Sequence, residues 1–206
     1  NLICKDSVDL IGIYGSFQTG DIHEKSDLDL MIVINDDKAW QISKAMIVDD
    51  IGYDVYCTYW ERLEEEAKYN SPYISKLMES KIVYVREDSA LERLEELKNK
   101  AKENMNLENT IQKAKKEINE AKVALADLVL SSNKKEMLLA LGEMFYRLEN
   151  ALCFINKEYF KLGVKRHLEE INKFKYKPLD FNKKIVNLIV LENKEDEKKI
   201  SIKQYS

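Results

Sequence analysis

The sequence is poor in the residues that break or cross-link a chain. Its 206 residues include only 2 Pro, 6 Gly and 3 Cys, whereas 34% are charged. This composition is typical of a helix-rich globular protein with a real core. No run of about 18 apolar residues occurs, and no basic and then apolar leader opens the sequence. We therefore expect no membrane span, no signal peptide and a cytoplasmic location.

Metal-binding side chains of the zinc type are also sparse. The three cysteines, Cys4, Cys57 and Cys153, are scattered and odd in number. The two histidines, His23 and His167, lie far apart in the sequence. These spacings match no zinc motif, so free thiols in a reducing compartment are expected.

Positive charge is not in excess. Lys and Arg total 33 against 37 Asp and Glu, which leaves a net charge of -4. A long nucleic acid usually requires a basic surface, so nucleic acid is an unlikely partner. A small phosphorylated ligand held by one local site is compatible with this balance.

The chain divides into a part with strands and a part with helices only. Strands are predicted over residues 8–14, 28–34, 53–59 and 81–85, with a helix beginning near Pro72 that Ser71 caps. From about Ser89 the apolar residues repeat at spacings of three and four. These repeats predict helices over residues 89–102, 111–128, 135–156, 164–174 and 181–192, and then a solvated tail.

The expected fold class is therefore α+β. A small mixed-sheet domain, residues 1–88, is followed by an all-α helical bundle, residues 89–206. A cleft between two domains is the usual place for a ligand.

One motif carries chemistry, and it begins where the first strand ends. Gly15 and Ser16 follow this strand, and Asp27 and Asp29 stand at the start of the next. Glycine lets the backbone approach a ligand closely, and a serine hydroxyl with free helix N–H groups suits phosphate. Side chains repeat every two residues in a strand, so Asp27 and Asp29 share one face.

Two neighbouring carboxylates repel each other unless a cation lies between them. Hard divalent cations prefer oxygen ligands, and phosphoryl transfer uses such cations to neutralise phosphate charge. Asp54, in the third predicted strand, fits the part of a third ligand, and two metal ions could share such a site. The alternative is a glycine turn with two exposed acids, although an unpaired carboxylate on a buried strand is costly.

At these residues the sequence resembles the DNA polymerase β-like nucleotidyltransferase superfamily. Gly15-Ser16, Asp27-x-Asp29 and Asp54 match its glycine turn, its Asp-x-[Asp/Glu] pair and its later carboxylate. The resemblance implies transfer of a nucleoside monophosphate from an NTP, with ATP the expected donor and Mg²⁺, as two ions, the expected cofactor. It also implies that all three aspartates are metal ligands and catalytic, and that the nucleotide contacts Gly15, Ser16, Asp27 and Asp29.

The second half resembles, in architecture only, the helical domains of kanamycin-type antibiotic nucleotidyltransferases. That resemblance implies a small hydroxylated acceptor, with an aminoglycoside-like antibiotic as the leading candidate. On the predicted helix over 135–156, Glu143, Arg147 and Asn150 form a polar stripe. Glu143 is a candidate general base, and an ordinary surface Glu–Arg pair is the competing interpretation.

Two other functions stay open. Some small members of the superfamily are antitoxins that bind, or modify with AMP, a helical protein partner. Others act on RNA ends, which the acidic balance disfavours. A homodimer is compatible with either of the leading interpretations.

Overall fold

The computed structural model describes residues 6–20 and 26–190. These residues form two compact units. The first contains the described residues up to Leu107 together with Tyr159–Val164, and the second contains Glu108–Glu158 and the described residues from Lys165 onwards. The two units are described in turn below.

The first unit is built on a mixed sheet, as the sequence predicts, and this sheet has five strands instead of the four that were expected. The strands are β1 (Val8–Tyr14), β2 (Leu28–Ile34), β3 (Lys44–Val48), β4 (Ile51–Thr58) and β5 (Lys81–Val85). Their order is β3-β4-β2-β1-β5. Only the β2–β4 pair among these neighbours is parallel, and the other pairs are antiparallel.

Both faces of the sheet are covered, which explains the continuous apolar run in β2. Met31, Ile32, Val33 and Ile34 are all buried. A 3-10 turn, Asp37–Ile42, covers the face that carries Ile32, Ile34, Val55 and Cys57. The opposite face carries the alternate residues and lies towards helices α2 (Trp60–Ala67), α3 (Ser75–Glu79) and α4 (Asp88–Asn106).

Buried Asp9 joins several elements at the far end of the sheet. One carboxylate oxygen accepts a 2.8 Å hydrogen bond from the Trp60 indole, and the other accepts one of 2.6 Å from the Asn35 amide. Arg86 adds an ion pair at 2.7 Å. A buried carboxylate with these partners is satisfied, so Asp9 has a structural role and fixes β1 to α2 and to the end of β2.

The structure corrects two local predictions. Strand β3 was not predicted, and β4 begins at Ile51 instead of Tyr53. The β3–β4 hairpin turns at Asp49 and Asp50, which both have positive φ, without the glycine that usually marks such a turn. Ser71 does not cap a helix, because its hydroxyl accepts from the Tyr73 N–H and α3 begins only at Ser75.

The second unit is helical throughout its described part, which confirms the predicted class. Its helices are α5 (Asn109–Leu130), α6 (Lys134–Asn156), α7 (His167–Lys173) and α8 (Phe181–Val190). Ala121 and Ala124 of α5 pack on Leu141 and Met144 of α6. Asn133 caps α6, since its side chain accepts from the Glu136 N–H at 3.1 Å. The predicted tail after residue 192 lies outside the described residues.

Helix α4 belongs to the first unit by its contacts. The compact units therefore divide the chain after Leu107, and a later segment, Tyr159–Val164, returns to the first unit. The assignment of functional domains to residues 1–88 and 89–206 stays a prediction.

Two further expectations concern cysteine and membranes. Cys57 and Cys153 are buried free thiols, and burial raises the pKa of the Cys153 thiol. Cys4 lies outside the described residues. Within residues 6–20 and 26–190, no helix is long and apolar enough to cross a membrane.

Arg147 joins α5 to α6 in the second unit. Its guanidinium lies 3.2 Å from the Glu117 carboxylate and 2.7 Å from that of Glu143. Glu117 is only 8% exposed, whereas the Glu143 side chain is 51% exposed. The Asn150 amide also donates to Glu117, at 3.4 Å. The polar stripe seen in the sequence therefore packs largely on Glu117.

We expect Arg147→Met to destabilise the protein by about 3 kcal/mol, because it leaves the buried Glu117 carboxylate without its cation. Glu143→Gln removes an exposed partner and is expected to cost less than about 1 kcal/mol. Urea unfolding of both variants measures the difference. Equal losses would contradict the assignment of Glu117 as the buried member.

Candidate active site

Three aspartates lie together at the ends of two neighbouring strands. In the parallel β2–β4 register, Asp29 pairs with Asp54, and Asp27 immediately precedes β2. Asp29 is also the register partner of Tyr14, the last residue of β1. Alternation places Asp29 and Asp54 on the helix-covered face of the sheet, because Leu30 and Val55 belong to the opposite core.

Two glycines make room for these carboxylates. Gly15 has φ +71°, and a Cβ atom at this position would lie 2.0 Å from Asp29 Oδ2. A Cβ atom on Gly52 of β4 would lie 1.9 Å from Asp27 Oδ1. Both distances are too short for two atoms that are not bonded to each other. The two positions therefore require glycine as long as the aspartates keep these orientations. The role of Gly52 was not foreseen from the sequence.

The carboxylates act on one another electrostatically. The pKa of Asp29 is raised by burial first, and then by the negative charges of Asp54 and Asp27. Between described residues, no hydrogen bond is donated to any of the three side chains. Their mutual repulsion is therefore relieved neither by a protein donor nor by a direct ion pair.

One cation opposes this repulsion. Lys76 of α3 lowers the pKa of Asp29, and its ammonium lies 3.6 Å from the centroid of the Tyr56 ring and 5.7 Å from that of Tyr14. Burial lowers the pKa of Lys76 itself. Burial likewise raises the pKa of Glu66 on α2, which Lys76 and Arg62 partly offset.

No pattern in the sequence indicates this part of the site. Lys76 and Glu66 stand on two short helices with no motif around them. A lysine within a helix is ordinarily solvated, so no spacing in the sequence distinguishes Lys76 from the other lysines. Only the packing of α2 and α3 on the sheet brings these charges to the aspartates.

The turn at Gly15 and Ser16, where a phosphate contact was predicted, differs from the expectation. Ser16 does begin a helix, α1 (Ser16–Thr19), but this helix has only four residues. Its Gln18 N–H already donates to the Gly15 carbonyl at 3.1 Å. So short a helix has little macrodipole, so a phosphate contact here would come from single N–H groups and the Ser16 hydroxyl.

The donor atoms of the site match the chemistry of a hard cation. Asp27, Asp29 and Asp54 offer carboxylate oxygens, the ligands that Mg²⁺ prefers. However, among the described residues no group of three His, Cys, Asp or Glu side chains converges closely enough to hold a metal ion. Asp29 and Asp54 are direct partners in the β2–β4 register. Asp27 lies one residue before the first paired residue, Leu28.

The predicted general base is in the other unit. Glu143 lies on α6, where it accepts a 2.7 Å hydrogen bond from Arg147. This is the surface ion pair of the competing interpretation. Its catalytic role stays a prediction.

One known family matches the part of the chain that holds the three aspartates. The model of the family described as "Nucleotidyltransferase domain" matches residues 2–136. The chain belongs to this nucleotidyltransferase domain family. The matched region contains Gly15, Ser16 and all three aspartates. The membership confirms the nucleotidyltransferase part of the resemblance, whereas the kanamycin-type subfamily stays a prediction.

Nine chains of known structure match this nucleotidyltransferase-domain protein. One is a nucleotidyltransferase-like protein from Exiguobacterium sibiricum 255-15, with 12% sequence identity and a TM-score of 0.44. The alignment covers 95% of this chain and 65% of that one, so this chain spans about two thirds of the other's length. No curated protein sequence matches this chain significantly.

Gly15 can be tested against a glycine with the same backbone conformation. Gly20 has φ +77°, but no atom of the described residues lies within 4 Å of a Cβ atom there. We expect Gly20→Ala to cost about 1 kcal/mol from backbone strain alone. Gly15→Ala should cost at least about 1 kcal/mol more, because the Asp29 carboxylate must also move. Urea unfolding measures both, and equal losses would contradict the close approach.

The raised pKa of Asp29 predicts a gain in stability when its charge is removed. A folded-state pKa above the unfolded one means that stability falls as pH rises through that interval. Asp29→Asn should therefore be more stable than the wild type near pH 7, and the gain should vanish at acid pH, where the wild-type carboxyl is protonated in both the folded and the unfolded state. Thermal melts in a metal chelator measure it. A variant that is less stable than the wild type at neutral pH would contradict the conclusion that the charge of Asp29 destabilises the fold.

Proposed function

We propose that this protein transfers a nucleoside monophosphate from an NTP, with ATP the expected donor, to a hydroxyl group of an acceptor. The observation that carries the proposal is the pairing of Asp29 with Asp54 across β2 and β4, with Gly15 directly against Asp29. A carboxylate pair beside a glycine turn places oxygen ligands for a cation next to a stretch of backbone that a phosphate can approach closely. Family membership supports the transferase class.

The proposed reaction is an in-line displacement at the α-phosphorus. The acceptor oxygen forms a bond to the α-phosphorus, and the bond from that phosphorus to the bridging oxygen breaks. Pyrophosphate leaves with the electron pair, and the acceptor proton passes to a base. Glu143 is our candidate for that base, and Ser16 and Gly15 are our candidates for phosphate contacts.

We assign Mg²⁺ to Asp27, Asp29 and Asp54, with two ions as the expected number. When bound, it supplies neutralisation of the phosphate charge that develops in the transition state. Repulsion among the three carboxylates supports this assignment, since a cation would relieve it. Asp27 would have to join the Asp29–Asp54 pair, and its exposed position leaves it free to turn.

For the acceptor we propose a small hydroxylated molecule, with an aminoglycoside-like antibiotic as the first candidate. The support is the all-α second unit and its resemblance in architecture to the antibiotic enzymes. Fold analogy alone does not fix a substrate, so the acceptor is the part of the proposal that most needs an experiment.

An observation on α5 and α6 favours a second candidate, an interaction protein that binds or AMPylates a helical partner. Apolar side chains on these helices are exposed, among them Val123, Leu130, Leu138 and Leu139. Exposed apolar side chains that share one surface can form a protein interface. The acceptor in that case is a protein hydroxyl, and the same three aspartates serve.

The proposal is tested with ATP labelled on its α-phosphate. We expect Mg²⁺-dependent ATP binding by calorimetry, and acceptor-dependent release of pyrophosphate. Asp29→Asn and Asp54→Asn should each lower the turnover at least about 1,000-fold, because each removes charge that neutralises the transition state. Asp36→Asn is a matched control, since this residue caps the 3-10 turn on the opposite face.

The position of the label separates the candidates. Label on a small molecule supports the antibiotic-type enzyme, and label on a protein supports the interaction protein. If the wild type binds no NTP with or without Mg²⁺, the enzymatic proposal is wrong.

A further inference from the structure

Among the described residues, no carboxylate lies at ion-pair distance from the Lys76 ammonium. Its Nζ faces the Tyr56 ring at 3.6 Å and the Tyr14 ring at 5.7 Å. Within the described part of the chain, no carboxylate oxygen forms an ion pair with it and no acceptor takes a hydrogen bond from it. A half-buried ammonium has three N–H donors that need acceptors. These donors therefore point to an oxygen-bearing ligand.

Carboxylates surround Lys76 at longer range on two sides. Asp29 and Asp54 act on it from the sheet, and Glu66 acts on it from α2. The Glu66 Oε2 atom is buried and has no hydrogen-bond partner among the described residues. The guanidinium of Arg62 is mostly exposed and lies 3.7 Å from the other carboxylate oxygen of Glu66, Oε1. The charge of Glu66 therefore favours the protonated, cationic form of Lys76 despite its burial.

Among the described residues, Lys76 is the cation that lowers the pKa of the Asp29 carboxyl. The rings that its ammonium contacts lie beside the aspartates, because Tyr14 is the register partner of Asp29 and Tyr56 is two residues from Asp54 on β4. For a nucleoside triphosphate, the aspartates and their cation belong at the α-phosphate, where the bond breaks. Lys76 lies beyond ion-pair distance from the aspartates. Its N–H donors would therefore bind the phosphates that follow the α-phosphate in the triphosphate.

We propose that Lys76 binds the β- and γ-phosphates of the NTP and then the departing pyrophosphate, and that it selects triphosphates over monophosphates. This inference rests on the proposed function and assigns a residue to its leaving group. The rings of Tyr14 and Tyr56 hold the ammonium by cation–π contact until phosphate oxygens replace them as partners. Positive charge at the leaving group stabilises the negative charge that it gains.

The test compares ATP and AMP binding, with Mg²⁺ present, in Lys76→Gln and in a matched control, Lys68→Gln. Lys68 ends α2 with a half-exposed side chain bonded to Glu65, so its removal changes the net charge equally. Loss of a charged hydrogen bond predicts an ATP affinity at least about tenfold lower for Lys76→Gln. The AMP affinity should change less than about twofold, and Lys68→Gln should match the wild type.

A second measurement uses the unaltered protein, in case Lys76→Gln does not fold. Lysines are acetylated with acetic anhydride at low conversion, and mass spectrometry follows each site. Inorganic pyrophosphate with Mg²⁺ should slow acetylation of Lys76 at least about fivefold and leave Lys68 unaffected. The reason is that acetylation needs the neutral amine, whereas a bound phosphate keeps the amine protonated.

The outcomes distinguish this inference from the proposed function. Equal losses of ATP and AMP affinity in Lys76→Gln would show that Lys76 only positions the aspartates, and would overturn the inference. Wild-type ATP affinity in that variant, or unprotected Lys76, would overturn it too. If the wild type binds no nucleotide while pyrophosphate still protects Lys76, the anion site stands and the proposed function fails.

Discussion

The crowding of negative charge at the paired ends of β2 and β4 is the constraint on which the first unit depends. A parallel register sets Asp29 beside Asp54, and no protein donor relieves their repulsion among the described residues. Such an arrangement lowers the stability of the fold, and it persists because the rest of the sheet holds it. The apolar core of β2 and the satisfied Asp9 at the opposite end supply that support.

The surroundings of the aspartates follow from this constraint. Gly15 and Gly52 lack side chains where carboxylate oxygens stand, and Lys76 brings a compensating charge without forming an ion pair. The negative charge of Glu66 raises the pKa of Lys76 and so favours its charged form. The site therefore has unmatched acidic groups and one unmatched basic group side by side. The metal–nucleotide complex that we propose as the ligand has positive and negative parts, which would complement both.

The helical unit shows a different use of charge. Arg147 and Asn150 contact Glu117, so this buried carboxylate is matched by protein partners. Glu143 occupies the exposed end of the same network. A general base must be able to approach a substrate proton, and an exposed carboxylate held by one arginine retains that freedom. The acceptor, small molecule or protein, will decide whether this unit serves catalysis or recognition.

The sequence by itself determined the strands with strong local signals and the chemistry of the glycine turn and aspartates. β1, β2 and β5 run over the residues that the apolar pattern predicts. For the inner strands β1 and β2 the reason is that a strand covered on both faces is continuously apolar. The pattern missed β3, an exposed edge strand whose turn residues, Asp49 and Asp50, lack glycine. Tertiary structure alone decided that α2 and α3 bring Glu66 and Lys76 to the aspartates. Such long-range contacts leave no periodicity in the sequence, since they depend on how separate elements pack.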